Sequence, residues 1–347
     1  MMKIEVHSPT IRRREMDAVL TAMAEDHIGP GDHGQNLIQI ARERLGCDYC
    51  LALRSPVMAL RFALGALDLP EGAGVLISAL SPRYYGQVIE ELGLKPLYCD
   101  TAPGTPCLSA ATVSAAMSRT DAAPVTPRCI VADHTLGFVP GMAAIAGLGL
   151  PVIEDCSRSF GTVLEPPGLG GFGVFGILGL EERDLLTAGG GALLFAMNRR
   201  AASVLRSIGV LPEYALPDLN AAMAVIQVKE SARNLEKRRN IAAAYIQSAL
   251  RTRHKRFVQE EAEYNNYAFP LILETGMKDV LAYARKKDIV VENAFENSLA
   301  GEAGFESYRE LCPEAWSLSL RTALFPLYPR LTAAGIERVA RLILTLP

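Results

Sequence analysis

The sequence lacks the features that mark secreted, membrane-spanning and nucleic-acid-binding proteins. Its first residues, "MMKIEVHSPTIRRREMD", contain no apolar run of the kind found in signal peptides. The net charge is −3 at pH 7, and there is no basic stripe with interleaved aromatic residues. The longest uncharged run, residues 135–153, contains two prolines and four glycines, which disfavours a membrane helix. We therefore expect neither nucleic acid nor a membrane as a partner.

The cysteines form neither a disulfide framework nor a zinc motif. There are seven of them without regular spacing, which favours reduced thiols and a cytoplasmic location. Cys47 and Cys50 form a single C-x-x-C, but no second pair or histidine accompanies it. We expect two small buried residues there and no metal site. Lysine is absent from residue 96 to residue 228, so the middle of the chain offers no primary amine for chemistry.

The alternation of short β-rich runs with helical patterns predicts an α/β fold. The candidate strands are "YCLALR", "VLISAL", "PLYC", "RCIVAD" and "PVIED", each followed or preceded by a helical pattern. This spacing favours a mostly parallel sheet that is covered on both faces. The glycine-rich stretch "GLGGFGVFG" from Gly168 does not open an early βα unit, so we do not expect a dinucleotide site there.

The last third of the chain has a different organisation. Residues 220–250 form one long helical pattern rich in Ala, Glu, Lys and Arg. The runs "YAFPLILE", "DIVVEN" and "WSLSLRTALF" then suggest strands, and "AAGIERVARLIL" suggests a final helix. With 347 residues and 50% hydrophobic content the chain can fill two cores. We predict a large α/β domain over residues 1–235 and a small α+β domain over residues 236–347.

Seven phrases, in order along nearly the whole chain, resemble motifs of one family. "IGPGDHGQNLIQIARERLGC" is followed by "SPVMALRFAL", where that family has "SGTAALHLAL". "HTLGFVPGM", "VIEDCSRSFG", "LLTAGGGALL", "DLNAAMAVIQV" and "LFPLYPRLTAAGIERV" follow. The chain thus resembles the DegT/StrS-type sugar aminotransferases. That resemblance implies the type I pyridoxal phosphate (PLP) transferase fold of aspartate aminotransferase, with a large, mostly parallel sheet and a small C-terminal domain.

The resemblance also shows where this sequence departs from the family's catalytic residues. Counting back from "LLTAGGG" puts Arg183 at the position of the lysine that forms an imine with the cofactor. A guanidinium stays protonated and is too weak a nucleophile for that step. We expect Arg183 either to bind an anion at the base of the cleft or to lie on the surface of a redrawn loop.

The residues implied in phosphate binding are changed as well. Ser55, Pro56 and Val57 stand where the family's "SGT" opens a helix whose N–H groups and hydroxyl hold the phosphate. Pro56 suits the start of a helix but offers no N–H. Leu178, or Gly179 in a shorter alignment of the loop, replaces a serine contact. The partner-subunit Asn and Arg fall near Glu213 and Ala215.

Some residues around the implied cofactor ring are retained or exchanged. Asp155 matches the carboxylate that pairs with the ring nitrogen, and Arg158 replaces the Gln or His beside the ring hydroxyl. The ring-stacking aromatic falls at or near Pro82, with Tyr84 and Tyr85 close by. His134 matches a position beside the cleft, although a structural role for a lone histidine is the simpler alternative. Without cofactor, Asp155 could instead pair with Arg158 or Arg183.

These departures lead to three functional hypotheses. The first is an altered relative of nucleotide-sugar aminotransferases that forms no internal aldimine, needs no PLP, and keeps a homodimeric scaffold with a cleft for a nucleotide-sugar or another anionic metabolite. The second is an active PLP- or pyridoxamine phosphate-dependent aminotransferase or dehydratase with an unusual site. The third is a non-catalytic subunit that pairs with an active paralogue.

Overall fold

The computed structural model describes residues 3–119, 125–166, 168–257, 259 and 262–347. Its main feature is a seven-stranded sheet with the order β1-β7-β6-β5-β4-β2-β3. The strands are β1 (Tyr49–Leu53), β2 (Gly74–Ser78), β3 (Lys95–Cys99), β4 (Pro127–Asp133), β5 (Val152–Asp155), β6 (Phe175–Gly179) and β7 (Ala192–Ala196). Strands β3, β2, β4, β5 and β6 pair in parallel, and β7 runs antiparallel to both of its neighbours. The five candidate strands of this region are confirmed.

Helices cover both faces of this sheet, as a buried parallel sheet requires. They are α1 (Arg13–Ala24), α2 (Asp32–Leu45), α3 (Pro56–Gly65), α4 (Tyr84–Glu91), α5 (Ala110–Met117), α6 (Met142–Ala146), α7 (Arg199–Ser207) and α8 (Asp218–Ala249). The apolar core of one face includes α3, α4 and α7, whereas α2 and the first part of α8 pack on the other. No described helix is both long enough and apolar enough to cross a membrane.

The carboxyl ends of β4, β5 and β6 meet at one edge of the sheet. The register places Asp133, the last residue of β4, beside Asp155, the last residue of β5, and places Asp155 beside Ile177 of β6. Because side chains alternate along a strand, Asp133 and Asp155 project from the same face, and Glu154 projects from the opposite one. Ligands of open α/β sheets bind at this kind of edge.

A smaller unit follows the long helix α8. It contains an antiparallel sheet of order β8-β10-β9, with β8 (Phe269–Ile272), β9 (Glu292–Asn293) and β10 (Thr322–Phe325). Helices α9 (Met277–Arg285), α10 (Pro313–Arg321) and α11 (Ala333–Leu344) complete it. A separate hydrophobic cluster joins this sheet to α11 and the second half of α8. The boundary near residue 235 falls inside the continuous helix α8 and stays a prediction.

Two strand predictions in this unit were wrong in extent. "WSLSLRTALF" begins as the end of α10, and only its last four residues form β10. Pro313 starts that helix, and the Asp100 carboxylate accepts the N–H groups of Glu314 and Ala315 in its first turn. In "DIVVEN" only Glu292 and Asn293 pair with β10.

One buried carboxylate holds the start of α2 against the start of α8. Asp218 is 2% exposed, and it accepts hydrogen bonds from the backbone N–H groups of Gly31, His33 and Gly34 at 2.9–3.1 Å. An aspartate at this place satisfies N–H groups that a helix start otherwise leaves unpaired.

We expect Asp218→Ala to lower the free energy of unfolding by about 3 kcal/mol, because it leaves several buried donors without an acceptor. Urea unfolding followed by circular dichroism measures this change. The control is Asp17→Ala: Asp17 is 61% exposed and pairs with Arg13 on the surface of α1, so its removal should cost less than about 0.5 kcal/mol. Equal effects of the two substitutions would contradict the assignment.

Candidate functional site

A small polar cavity lies at the carboxyl edge of β4, β5 and β6. Its volume is about 150 Å³, and charged side chains dominate its walls. The lining residues are Pro82, Tyr84, Asp133, His134, Asp155, Ser157, Arg158, Glu181, Arg183 and Asp184. The structure thus brings together six of the residues singled out from the sequence, namely Pro82, Tyr84, His134, Asp155, Arg158 and Arg183.

The carboxylate of Asp155 is fully engaged by neighbouring side chains. The Tyr85 hydroxyl donates to Oδ2 at 2.6 Å, and the Tyr84 hydroxyl lies 3.4 Å from the same oxygen. Oδ1 accepts the backbone N–H of Ser157 at 3.0 Å and also the Ser157 hydroxyl. Burial, together with the nearby Asp155 charge, raises the pKa of Tyr85 well above its ordinary value, so the phenol keeps its proton and donates.

Two further carboxylates face the same space. Asp133 accepts the Ser81 hydroxyl at 2.7 Å and the Thr135 hydroxyl at 2.6 Å, and burial raises its pKa. Burial raises the pKa of Asp184 to about 7, against the opposing effect of the Arg158 guanidinium. The Asp184 carboxylate also accepts the N–H of Glu181 at 2.9 Å. The floor of the cavity is therefore acidic.

The two arginines of the cavity differ in their partners. The Arg158 guanidinium stacks over the Tyr267 ring, 5.7 Å from its centroid. Burial lowers the pKa of Arg158, but the charges of Tyr267, Asp184, Asp133 and Asp155 outweigh it, so the pKa is raised overall. The Arg183 side chain is 54% exposed, and its Nη1 lies 2.9 Å from Oε2 of Glu292 in β9. Among the described side chains, no ion pair joins Asp155 to either arginine, contrary to the alternative that the sequence left open.

The residues implied in phosphate binding do not line this cavity. The Ser55 hydroxyl caps α3 by accepting the N–H of Met58 at 3.3 Å; Pro56 is the first residue of the helix, and Val57 is 40% exposed. Leu178 is 1% exposed and packs in the cluster on the α2 and α8 side of the sheet. Of the two alternatives it is therefore Gly179 that faces the site, where its N–H donates to the Ser157 hydroxyl at 2.8 Å.

Sequence reasoning missed several residues of the site. Asp133 ends a strand in "IVAD" just as Asp155 does in "VIED", so the same signal could have found it. Ser157 and Asp184 carried no signal of their own. His7 also lies near the site: burial, followed by the charges of Arg183, Arg238 and Arg158, lowers its pKa to about 4.

The model of the DegT/DnrJ/EryC1/StrS aminotransferase family matches residues 9–344. The chain belongs to this family.

Two relatives of this chain are named as aminotransferases. EpsN of Bacillus subtilis, provisionally named a pyridoxal phosphate-dependent aminotransferase, is 25% identical over 322 residues, which cover 85% of this chain and 80% of EpsN. An L-glutamine:2-deoxy-scyllo-inosose aminotransferase of Streptomyces paromomycinus is 27% identical over 190 residues; the match covers 52% of this chain and 43% of that enzyme.

Solved structures confirm the predicted type I fold. The aminotransferase TlmJ from Streptoalloteichus hindustanus superposes with a TM-score of 0.85 at 19% identity and 98% coverage of both chains. The E. coli GDP-4-keto-6-deoxy-D-mannose-3-dehydratase with bound hydrated PLP gives 0.85 at 15% identity, covering 99% of this chain and 100% of that one.

Asp184 should make stability depend on pH. Because its folded-state pKa is about 7, above the ordinary value near 4, the folded state binds more protons than the unfolded state between about pH 4 and pH 7. The contribution of Asp184 to stability is therefore present at low pH and is lost as the pH rises through this window.

We expect Asp184→Asn to fall less steeply in unfolding free energy than wild type between about pH 5 and pH 8. The measurement is urea unfolding at a series of pH values, with the exposed neighbour Glu182→Gln as the matched control. Identical slopes for Asp184→Asn and wild type would show that Asp184 is ionised as an ordinary surface carboxyl.

Proposed function

We propose that this protein is a non-transaminating member of the DegT/DnrJ/EryC1/StrS family that binds the sugar part of a nucleotide-sugar or a related polyol in the cavity. The observation that carries the proposal is the hydrogen bonding of Asp155. In the family this carboxylate pairs with the cofactor's ring nitrogen, whereas here Tyr85 and Ser157 occupy its acceptor positions.

The position of Arg183 supports the loss of imine chemistry. Its guanidinium faces Glu292 and carries no amine that could condense with an aldehyde. The nearest lysines in sequence are Lys95 and Lys229; Lys95 starts β3, which is the edge strand of the sheet and distant in strand order from β6. No lysine lines the cavity in the described part of the chain.

The residues present do not fit pyridoxal phosphate. A pyridine ring would have to displace the Tyr85 hydroxyl from a 2.6 Å hydrogen bond to a buried carboxylate. At the start of α3, Pro56 lacks an N–H and the Ser55 hydroxyl is already used as a cap. We therefore derive no reaction step through this cofactor.

The polar lining suits hydroxyl groups instead. Carboxylate oxygens of Asp133 and Asp184 can accept hydrogen bonds from a ligand, and the Arg158 guanidinium can donate several in one plane. A sugar presents donors and acceptors on adjacent carbons and carries no charge, so three clustered carboxylates would not repel it as they would a phosphate. A nucleoside diphosphate attached to that sugar would have to extend beyond the cavity.

We also propose that the protein is a homodimer. Apolar side chains lie exposed around the start of α3 and the segment before α8: Val57 is 40% exposed, Leu211 56% and Tyr214 38%. Tyr214 packs edge-on against Phe62 at 5.7 Å, so the segment before α8 contacts α3. Such a patch is normally covered in the assembled protein. The exposed Leu211 and Tyr214 therefore support a contact between the segment before α8 and a second subunit.

Arg183→Lys alone should not create an active aminotransferase, since Tyr85, Pro56 and Val57 still deny the cofactor its contacts. We expect no imine absorbance after incubation with PLP, no borohydride-trapped adduct on the introduced lysine by mass spectrometry, and no amino transfer from glutamate. Adding Pro56→Gly, Val57→Thr and Tyr85→Phe to Arg183→Lys should permit PLP binding. Arg183→Gln controls for loss of the ion pair with Glu292.

Robust amino transfer by the single variant, or an imine in the wild type on any lysine, would refute the proposed loss of chemistry. Sugar binding is tested separately by calorimetric titration of wild type with a nucleoside diphosphate sugar. Loss of that binding in Asp184→Asn would place the sugar in the cavity, whereas unchanged binding would place it elsewhere.

The homodimer is tested by sedimentation at micromolar concentration. We expect twice the chain mass of 37.5 kDa, because the interface of an obligate dimer buries on the order of 2,000 Å² or more of largely apolar surface. Tyr214→Glu should shift the equilibrium toward the monomer, whereas Val163→Glu, at an exposed valine of the loop after β5, should not. A wild-type mass of a single chain would contradict the proposal.

A further inference from the structure

A second cluster of reactive side chains lies on the other face of β5. His134, Glu154 and Cys156 bring the Nε2, a carboxylate oxygen and the Sγ within 4.8 Å of one another. Their exposed fractions are 1%, 0% and 0%. None of the three takes part in the sugar site proposed above, apart from His134 forming part of the cavity wall.

Two atoms of this cluster are buried without a hydrogen-bond partner among the described residues. They are Nε2 of His134 and Oε2 of Glu154, and they lie 3.7 Å apart, facing one another. That distance is too long for a hydrogen bond. It agrees with the spacing of two ligands on one tetrahedral ion, which is about 3.3–3.8 Å for bonds of about 2.0–2.3 Å. Unpaired buried polar atoms are costly, and one shared cation would satisfy both.

Neighbouring groups hold both side chains in position. Nδ1 of His134 lies 2.6 Å from the Ser159 hydroxyl, the kind of outer contact that orients a metal-binding imidazole. Oε1 of Glu154 accepts the N–H of Gly173 at 2.5 Å, which leaves Oε2 free to point at the cluster.

The glycine-rich stretch that begins at Gly168, for which the sequence indicated no function, lies beside this cluster. Gly170 has a φ of +74°, and a Cβ there would collide with the Phe195 ring. The same Cβ would lie 3.8 Å from Sγ of Cys156, so the loop backbone passes close to the thiol. The loop therefore lies against the cluster on the outer side of the sheet.

We propose that His134, Glu154 and Cys156 form a binding site for a zinc ion. One nitrogen, one oxygen and one sulfur are ligands that zinc accepts together, and a water molecule from the adjoining cavity would supply a fourth. On binding, the Cys156 thiol loses its proton to solvent and a zinc–sulfur bond forms, with no change in oxidation state. The site is independent of the proposed sugar ligand.

The test uses the intact protein, stripped with a chelator, incubated with zinc alone and desalted. Elemental analysis should then find a single zinc ion per chain. Cobalt added instead should give the near-ultraviolet charge-transfer absorption of a cobalt–thiolate bond. Cys156→Ala and Glu154→Gln should each lose the retained zinc and the cobalt–thiolate band.

Two control variants isolate the cluster from other candidate ligands. Cys129→Ala removes another fully buried thiol, on β4, and should keep both signals. His33→Ala breaks up the exposed group formed by Glu25, His27 and His33, and should also keep them. The proposal is wrong if wild type retains no zinc, or if Cys156→Ala retains zinc and the cobalt–thiolate band as wild type does. Circular dichroism checks that each variant is folded.

Discussion

The hydrogen bonds to the Asp155 carboxylate are the constraint on which the site depends. Asp155 ends β5 at the edge where an open α/β sheet receives ligands. Tyr85 approaches from the first turn of α4, and Ser157 turns back from the loop just after the strand. A carboxylate satisfied by its own chain needs no external cation or ring nitrogen, so the cavity beside it is stable without a cofactor.

Strand β5 borders two different environments because its side chains alternate between the two faces of the sheet. Asp155 points to the polar cavity, while Glu154 points to the opposite face, toward His134 and Gly173. The polar cavity is rich in hydroxyl donors. On the opposite face, Nε2 of His134 and Oε2 of Glu154 have no hydrogen-bond partner among the described residues. This difference explains why we assign a polar organic ligand to one face and a metal ion to the other.

The sequence was sufficient for most of the fold because the hydrophobic patterns repeat with the periods of strands and helices. The resemblance to the family's motifs also identified Asp155 and Arg183 as residues of the site. The contact between Tyr85 and Asp155 could not be predicted, since it depends on how α4 packs on the sheet. The same limit applies to Leu178 and Gly179: adjacent residues face opposite sides of a sheet, and a shift of one residue in the alignment exchanges them. The helical start of "WSLSLRTALF" was missed because the Asp100 carboxylate that stabilises it comes from a distant part of the chain.

The most direct test of the central claim is a crystal structure of the wild-type protein soaked with pyridoxal phosphate. Our account predicts that the Tyr85 hydroxyl stays within hydrogen-bonding distance of Asp155 and that no cofactor ring lies in the cavity. A ring nitrogen bound to Asp155, with Tyr85 displaced, would contradict it.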